Sequence, residues 1–225
     1  MQKISKKILV GITGKSDRDW QNKLKEIKHY HLKEVALFLE LFDGKQRKKI
    51  YQALKNFDLK IPLIHIRNDM SRDELKYLID KYKAPCLTIH EDSFKYLDKW
   101  HGCYQHLFLE LNYDNFINAQ VNLNRIGGLC LDLSHFKASE ERWSKEFIFA
   151  IRKSKNKFVC NHLNGFSYKK KIDVHHIKNL NEFDYLDTLP AFVFGKIIAL
   201  ETFNSIKMQL KFKAYLEKEI LKSKD

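Results

Sequence analysis

Nine side chains that can bind a metal ion stand where short apolar runs of the sequence end. Most of these runs are followed by an imidazole or carboxylate and then by a helical pattern. Imidazole and carboxylate together are ligands that zinc, manganese and iron accept. An acid at the end of a buried strand is costly unless it is paired or metal-bound, so several such acids favour a metal site. The nine residues are His65, His90, Glu110, Asp132, His135, His162, Asp173, His175 and Glu201.

Two pairs of these residues lie close together in the sequence. In Asp132-Leu-Ser-His135, the acid closes an apolar run and the histidine begins the next loop, so both side chains could reach one pocket. In Asp173-Val-His175, the two side chains project to the same side if the segment is extended. The alternative interpretation of any single histidine is a hydrogen-bonded structural residue. Glu40 also ends an apolar run. We expect it either to contact the site residues or the substrate, or instead to form a salt bridge with a lysine of the barrel.

Eight short apolar runs, rich in Ile, Leu, Val and Phe, predict strands that are buried on both faces. They span residues 8–13, 35–40, 61–66, 86–90, 107–111, 129–133, 158–163 and 197–201. Helical patterns separate the runs, and such alternation predicts a parallel sheet. We therefore predict an α/β fold, a (β/α)8 TIM barrel with outer helices, as a single domain over residues 1–225. A barrel of this kind gathers its strand ends at one face, where its chemistry takes place.

An open, doubly wound sheet is the competing arrangement. It usually carries a glycine-rich phosphate turn after its first strand, and Gly11-Ile-Thr-Gly14 matches that turn poorly. The alternation of strand side chains supports the barrel, because the residue two positions before a ligand faces the same side. Those residues are all apolar or small, as a packed layer beneath a site requires: Leu63, Thr88, Phe108, Cys130, Cys160 and Ala199.

Stripes of apolar residues at helical spacing predict the helices. Ser71 and Glu74 form a capping-box pattern that starts one of them. Ser139 is the candidate N-cap of a helix that carries Trp143 and Phe147 on its apolar side. A long amphipathic helix is expected over residues 205–222, whereas residues 92–104 and 113–124 permit only short or irregular helices.

The composition limits the class of protein. A chain of 225 residues, 44% of them hydrophobic, with 8 glycines and 3 prolines, is typical of a globular protein of one domain or at most two. No apolar run approaches the ~20 residues that span a bilayer, and the N-terminus lacks a signal-peptide core. We therefore expect no membrane association and a cytoplasmic location. The four cysteines form no C-x-x-C pair, and we expect them to be buried free thiols.

The formal net charge of +13 has two interpretations. It favours an affinity for phosphates, with DNA or a small phosphorylated or sugar substrate as the partner. Alternatively, lysine is simply abundant on the outer helix faces, since arginine, the better bidentate ligand for phosphates, is scarce. The oligomeric state stays open.

The order of the ligand types resembles that of the divalent-metal TIM barrels, a superfamily that includes endonuclease IV and the xylose-isomerase-like sugar isomerases and epimerases. Its shared core places Glu, Asp, His and Glu on strands five to eight, and the matching residues here are Glu110, Asp132, His162 and Glu201. Endonuclease IV adds histidines on strands three and four and three short motifs. Their counterparts are His65, His90, Asp132-Leu-Ser-His135, His162-Leu-Asn164 and Asp173-Val-His175.

The resemblance implies a divalent-metal cofactor of one to three ions, with zinc or manganese favoured. It also implies which residues would hold each ion. The three sets are His65, His90 and Glu110; Glu110, Asp132, His162 and Glu201; and His135, Asp173 and His175.

Three functions are consistent with this pattern. The one we favour is phosphoester hydrolysis like that of endonuclease IV, an abasic-site DNA phosphodiesterase, with Glu110, Glu201 and His135 as the residues expected to act in catalysis. The second is a sugar or sugar-phosphate isomerase or epimerase that uses a single metal, and the short loops after the fourth and fifth predicted strands favour such a compact substrate. The third is a non-catalytic binding protein on the same barrel.

Overall fold

A nearly closed parallel barrel dominates the computed structural model, which describes residues 6–153 and 158–220. The strands are β1 (Lys7–Leu9), β2 (Gly11–Ile12), β3 (Glu34–Phe38), β4 (Lys60–His65), β5 (Cys86–His90), β6 (Leu107–Glu110), β7 (Gly128–Asp132), β8 (Cys160–Leu163), β9 (Gly165–Ser167), β10 (Ile172–Val174) and β11 (Ile197–Leu200). Nine strands form one sheet in the order β1-β11-β8-β7-β6-β5-β4-β3-β2. The remaining two, β9 and β10, form an antiparallel hairpin.

The two ends of the nine-stranded sheet are successive pieces of one chain segment. β1 pairs with β11, β2 pairs with β3, and only Val10 lies between β1 and β2. At Gly11 a Cβ atom would collide with the carbonyl oxygen of Leu200, so only glycine allows the backbones to approach here. Where the sequence predicts one first strand over residues 8–13, the structure therefore has two short strands that pair with different neighbours.

The described residues contain six α-helices and several tighter or wider helical turns. The α-helices are α1 (Asp17–His29), α2 (Gly44–Leu54), α3 (Arg72–Tyr82), α4 (Leu133–Glu140), α5 (Lys145–Arg152) and α6 (Ile206–Tyr215). The 3-10 segments are Glu91–Trp100, Tyr104–His106, Leu123–Arg125, Leu180–Thr188 and Ala191–Val193. A π-helical turn, Leu216–Ile220, continues α6, and the last two residues of the predicted helix 205–222 lie outside the described residues.

Most predicted elements are confirmed. Each predicted strand coincides with observed strand to within two residues at either end. The side chain of Ser71 caps α3 by accepting a hydrogen bond from the backbone N–H of Glu74, and that of Ser205 caps α6. Residues 92–104 are largely 3-10 helix, as their weak pattern predicts.

The predicted N-cap at Ser139 is wrong. Ser139 lies inside α4, and Ser144 caps α5 by accepting a hydrogen bond from the N–H of Phe147. Trp143 lies in the turn between these helices with a positive φ of 50°, and its side chain is 76% exposed rather than part of an apolar face. The sequence pattern failed here because two short helices meet at a tight turn, and a stripe drawn through the turn joins residues that face different directions.

The barrel interior is a small apolar cluster, separate from the larger core between the sheet and the helices. Five of the six residues predicted to lie beneath the site belong to it, namely Leu63, Phe108, Cys130, Cys160 and Ala199. The sixth, Thr88, contacts a site histidine. All four cysteines are buried and free, as predicted. Within the described residues, no helix has both the length and the apolar character that crossing a membrane requires.

Candidate metal centre

The ends of the parallel strands bring six of the nine predicted ligands together. Four close their strands, on β4, β5, β6 and β7, one lies within β8, and one follows β11 directly. They are His65, His90, Glu110, Asp132, His162 and Glu201. The strand register places His90 beside Glu110 and Asp132 beside His162 on neighbouring strands. Because all these strands are parallel, the six side chains meet at one end of the barrel.

Four of these residues form a completely buried group. Ligand atoms of Glu110, Asp132, His162 and Glu201 all lie within 4.8 Å of one another. His162 is central, because its Nδ1 lies 3.1 Å from Glu110 Oε2 and 3.2 Å from Glu201 Oε2. Its other nitrogen, Nε2, lies 3.1 Å from the hydroxyl of Thr88, which fixes the orientation of the ring. The structure thus brings together the four residues that the sequence analysis expects to hold one ion.

A second group lies beside the first. Glu40, two residues beyond β3, brings its Oε2 to 3.6 Å from His65 Nε2 and 3.4 Å from His90 Nε2. His65 Nδ1 in turn lies 3.4 Å from Glu110 Oε2. Glu110 therefore lies between the two groups. Of the two roles left open for Glu40, the structure places it against site histidines.

Several of these buried atoms have no hydrogen-bond partner. Within the described residues they include both ring nitrogens of His65, Nδ1 of His90, Nδ1 of His162 and Oε2 of Glu110, of which the last two lie 3.1 Å apart as an ion pair without forming a hydrogen bond. A buried polar atom without a partner costs about 1–3 kcal/mol, and native proteins hold few of them. A cation at this position would give lone pairs of these atoms a partner, so the residues present fit a bound divalent metal.

Opposing charges shift the pKa values of the central residues strongly. Burial raises the pKa of Glu110, but the imidazoles of His162, His90 and His65 outweigh burial and hold it well below the usual value. Burial lowers the pKa of His162, but the carboxylates of Glu110 and Glu201 hold it well above the usual value. Burial raises the pKa of Glu201. Such strongly perturbed groups, gathered in one place, are typical of a functional site.

The outer histidines of the second group differ in their electrostatics. Burial lowers the pKa of His65 to about 4, although the charges of Glu40 and Glu110 oppose this shift. Burial also lowers the pKa of His90, but the charge of Glu110 and the hydrogen bond to Glu40 raise it to about 9. For Glu40, burial raises the pKa, but the charge of His65 and the contact with His90 bring it to about 2.

Asp132 is held in place by three hydrogen bonds. Its Oδ1 accepts from the hydroxyl of Ser134 at 2.6 Å and from the backbone N–H of His135 at 2.8 Å, which makes it the N-cap of α4. Its Oδ2 accepts from the side-chain amide of Asn164 at 2.7 Å. The acid that ends the strand thus also starts the following helix, and its orientation is fixed before any ligand binds.

The remaining three predicted ligands lie beside the buried group without joining it. His175 Nε2 pairs with Asp173 Oδ2 at 2.7 Å, and the Tyr113 hydroxyl donates to Asp173 Oδ1 at 2.6 Å. His135 Nδ1 lies 3.9 Å from Glu110 Oε1. No set of mutually close ligand atoms in the described part of the chain unites His135, Asp173 and His175.

Both carboxylate oxygens of Asp173 and both ring nitrogens of His175 have polar partners. Nδ1 of His175 lies 3.1 Å from the carbonyl oxygen of Glu201. Burial lowers the pKa of His175, but the hydrogen bond with Asp173 raises it to about 10. For Asp173, burial raises the pKa, but the hydrogen bonds with His175 and Tyr113 outweigh burial and hold the pKa well below its usual value. The two side chains do project to the same side, as expected if the segment is extended: Asp173 lies in β10, and His175 follows directly after that strand.

Aromatic and basic side chains form the surroundings of the site. The ring of Phe38 lies beneath it, 5.0 Å from the ring of His162. Tyr113 packs against His135 at 4.6 Å, and the guanidinium of Arg142 lies 5.9 Å from the Tyr113 ring. The site therefore has an aromatic ring beneath it and aromatic and basic side chains beside it.

Sequence reasoning missed three residues that shape the site. The sequence placed Thr88 only in the packed layer beneath the site and Asn164 only within the His162-Leu-Asn motif, without the contacts that they make to His162 and Asp132. Tyr113 lies on a loop with no periodic pattern, and only its contacts reveal it. In chemical terms, these buried imidazole and carboxylate groups could hold a metal ion. Neither the models of known protein families nor the sequences of curated proteins match this chain.

Proposed function

We propose that the protein is a divalent-metal-dependent phosphoester hydrolase built on a (β/α)8 TIM barrel, like endonuclease IV, which its ligand order resembles. The observation that carries this proposal is the cluster of buried imidazole and carboxylate atoms without hydrogen-bond partners at the carboxyl end of the barrel. Zinc and manganese are the candidate ions, because both accept mixed nitrogen and oxygen ligands.

The residues of the cluster would divide the work of binding. One ion would be held by Glu110, Asp132, His162 and Glu201. Glu110 lies close to both His65 and His162, so it would also connect this ion to the neighbouring histidine His65. A bound divalent cation supplies Lewis-acid polarisation of a phosphoryl oxygen and lowers the pKa of a water molecule. His135, which lies at the edge of the group beside Glu110, would contact the substrate.

The charge around the pocket supports an anionic substrate. Arg142 stands on the Tyr113 side, and the ammonium of Lys15 lies 4.9 Å from the ring of Phe203, which packs on His175. These cations lie on loops at the carboxyl end of the barrel, and the whole chain carries a net charge of +13. A phosphate group, in DNA or in a small molecule, is the chemistry that such an entrance attracts.

A sugar or sugar-phosphate isomerase is the second candidate, and one observation favours it. The group of four buried ligands is sufficient for a single ion, and Asp173 and His175 are satisfied by hydrogen bonds without any ion. In that case Glu110 and Glu201 would move a proton between adjacent carbons, and His135 would bind substrate. A non-catalytic binding role on the same barrel is the third candidate.

Metal content and a paired assay separate these functions. The protein is purified without chelator, its metal is measured by elemental analysis, and a duplex with one abasic site and a panel of ketoses are assayed side by side. We expect bound zinc or manganese and cleavage of the abasic strand. Isomerisation of a ketose with one ion bound would support the second candidate. A chain that stays metal-free after saturation with zinc and manganese would contradict both enzymatic functions.

Two substitutions test the residue roles. Glu201→Gln and His162→Ala should each fold, lose the ion held by Glu110, Asp132, His162 and Glu201, and lose at least ~100-fold in activity, because loss of even an outer partner of a ligand costs about 10–100-fold. Glu34→Gln is the matched control. Glu34 is the first residue of β3, at the end of the strand away from the site, and it pairs with Lys7. Full activity in either site variant would remove that residue from the site.

A further inference from the structure

Three neighbouring strands each present one ligand-type side chain at the same end of the barrel. His65 ends β4 and His90 ends β5, while Glu40 follows β3, and these strands are adjacent in the sheet. Their ligand atoms all lie within 4.8 Å of one another. This set differs from the one that the resemblance implies, in which Glu110 accompanies the two histidines.

The distances in this set match those between ligands of one metal ion, and the contact between His90 and Glu40 is a long hydrogen bond. Glu40 Oε2 lies 3.6 Å from His65 Nε2 and 3.4 Å from His90 Nε2. Hydrogen bonds between nitrogen and oxygen usually measure about 2.7–3.2 Å. In a tetrahedral zinc site with bonds of about 2.1 Å, neighbouring ligand atoms lie ~3.4 Å apart, which is the spacing seen here.

The His65 ring lacks the partners that a buried imidazole requires. It is 1% exposed, and neither of its ring nitrogens has a hydrogen-bond partner. Its ring lies 4.8 Å from that of His90 and 5.1 Å from that of His162, so three imidazoles are packed together. With its Nε2 directed to a cation, the proton of His65 would lie on Nδ1, which faces Glu110 Oε2 at 3.4 Å.

We propose that Glu40, His65 and His90 bind a second divalent cation, next to the one held by Glu110, Asp132, His162 and Glu201. Glu40 is then a metal ligand, and Glu110 orients His65. This inference rests on the proposed function and adds the second ion to it. Since the side chains of Glu40 and His90 are each 30% exposed, this ion stands at the open side of the centre, where water or a substrate oxygen can complete its coordination.

Metal stoichiometry of the full-length chain tests the proposal. Protein stripped with chelator is titrated with zinc and, separately, with manganese in a calorimeter, and bound metal is counted after gel filtration. We expect two ions for the wild type, and one ion for Glu40→Gln, whose affinity for the second ion falls at least ~100-fold. Glu201→Gln should retain the ion at Glu40, and the control Glu34→Gln should bind two.

A second variant protects the test against a folding defect. His90→Asn removes another partly exposed member of the same set, and we expect it to lose the same ion as Glu40→Gln, with unchanged circular dichroism. Two ions bound with wild-type affinity in Glu40→Gln, or only one ion in the wild type, would overturn the inference and leave the proposed metal dependence standing. No ion in the wild type would overturn the proposed function as well.

Discussion

Thr88 orients the ring of His162, the central residue of the buried group. Its hydroxyl, completely buried, lies 3.1 Å from Nε2 of His162, on the far side of the ring from the two glutamates. A contact of this kind fixes which nitrogen carries the proton and directs the other nitrogen to the metal. Asn164 does the same for Asp132 by donating to its Oδ2.

Thr88→Val should weaken metal binding while the chain still folds. The substitution keeps the shape of the side chain and removes the hydrogen-bond partner of His162, so we expect a loss of about 10–100-fold in metal affinity. Titration of metal-free protein with zinc measures the loss. Thr88→Ser, which keeps the hydroxyl, is the control and should bind almost as the wild type. Equal affinity in Thr88→Val and the wild type would show that the hydroxyl has no role in orienting His162.

Helix α1 packs against the barrel through a buried lysine. The side chain of Lys23 is 3% exposed, and its Nζ donates to the carbonyl oxygens of Thr202 at 2.6 Å and Gly11 at 3.4 Å. Burial lowers the pKa of Lys23 to about 7, although the charges of Asp19, Glu26 and Glu201 oppose this shift. The contact therefore joins the helix to the chain directly after the site residue Glu201, at the expense of burying an amine.

The lowered pKa of Lys23 has a measurable effect on stability. Below about pH 7 the amine is protonated in both the folded and the unfolded chain, so the cost of burying the charge is fully present. Between about pH 7 and 10.5 the unfolded chain binds more protons than the folded one, so the stability contributed by this residue rises with pH. Each pKa unit corresponds to about 1.4 kcal/mol, so the total change is a few kcal/mol at most.

Lys23→Met should flatten this part of the pH profile. We expect the free energy of unfolding of the wild type, measured with urea, to rise relative to that of Lys23→Met between pH 7 and 10. Lys25→Met is the control, because Lys25 is exposed on the same helix. If the difference between wild type and Lys23→Met stayed constant over this pH range, Lys23 would not be deprotonated on folding.

At the scale of the described molecule, buried polar atoms without a hydrogen-bond partner gather at the carboxyl end of the barrel. Ten buried side-chain atoms in the described residues lack a hydrogen-bond partner, and half of them belong to His65, His90, Glu110 and His162. The rest of the barrel interior is apolar. A ligand that satisfies these atoms binds the folded chain and not the unfolded one, so it must stabilise the fold.

Metal should therefore raise the melting temperature. With free zinc at 100 times its dissociation constant, the stabilisation is about 2.7 kcal/mol, which for a chain of this size is a shift of roughly 5–10 °C. Thermal unfolding with zinc and with excess chelator measures it. In Glu201→Gln the shift should be smaller. The same melting temperature with zinc and with chelator would contradict metal binding at this site.

The sequence alone determined the strands, their order along the chain and most of the imidazole and carboxylate residues that meet at one end of the barrel. Buried parallel strands leave a clear pattern, and the end of a strand fixes where a side chain such as His65 or Glu110 must stand. The tertiary structure decided the rest: the partners of Glu40, the contact of Tyr113 with Asp173, and the separation of His135 from the buried group. These depend on the paths of loops, which are set by contacts between residues far apart in the sequence and leave no local pattern to read.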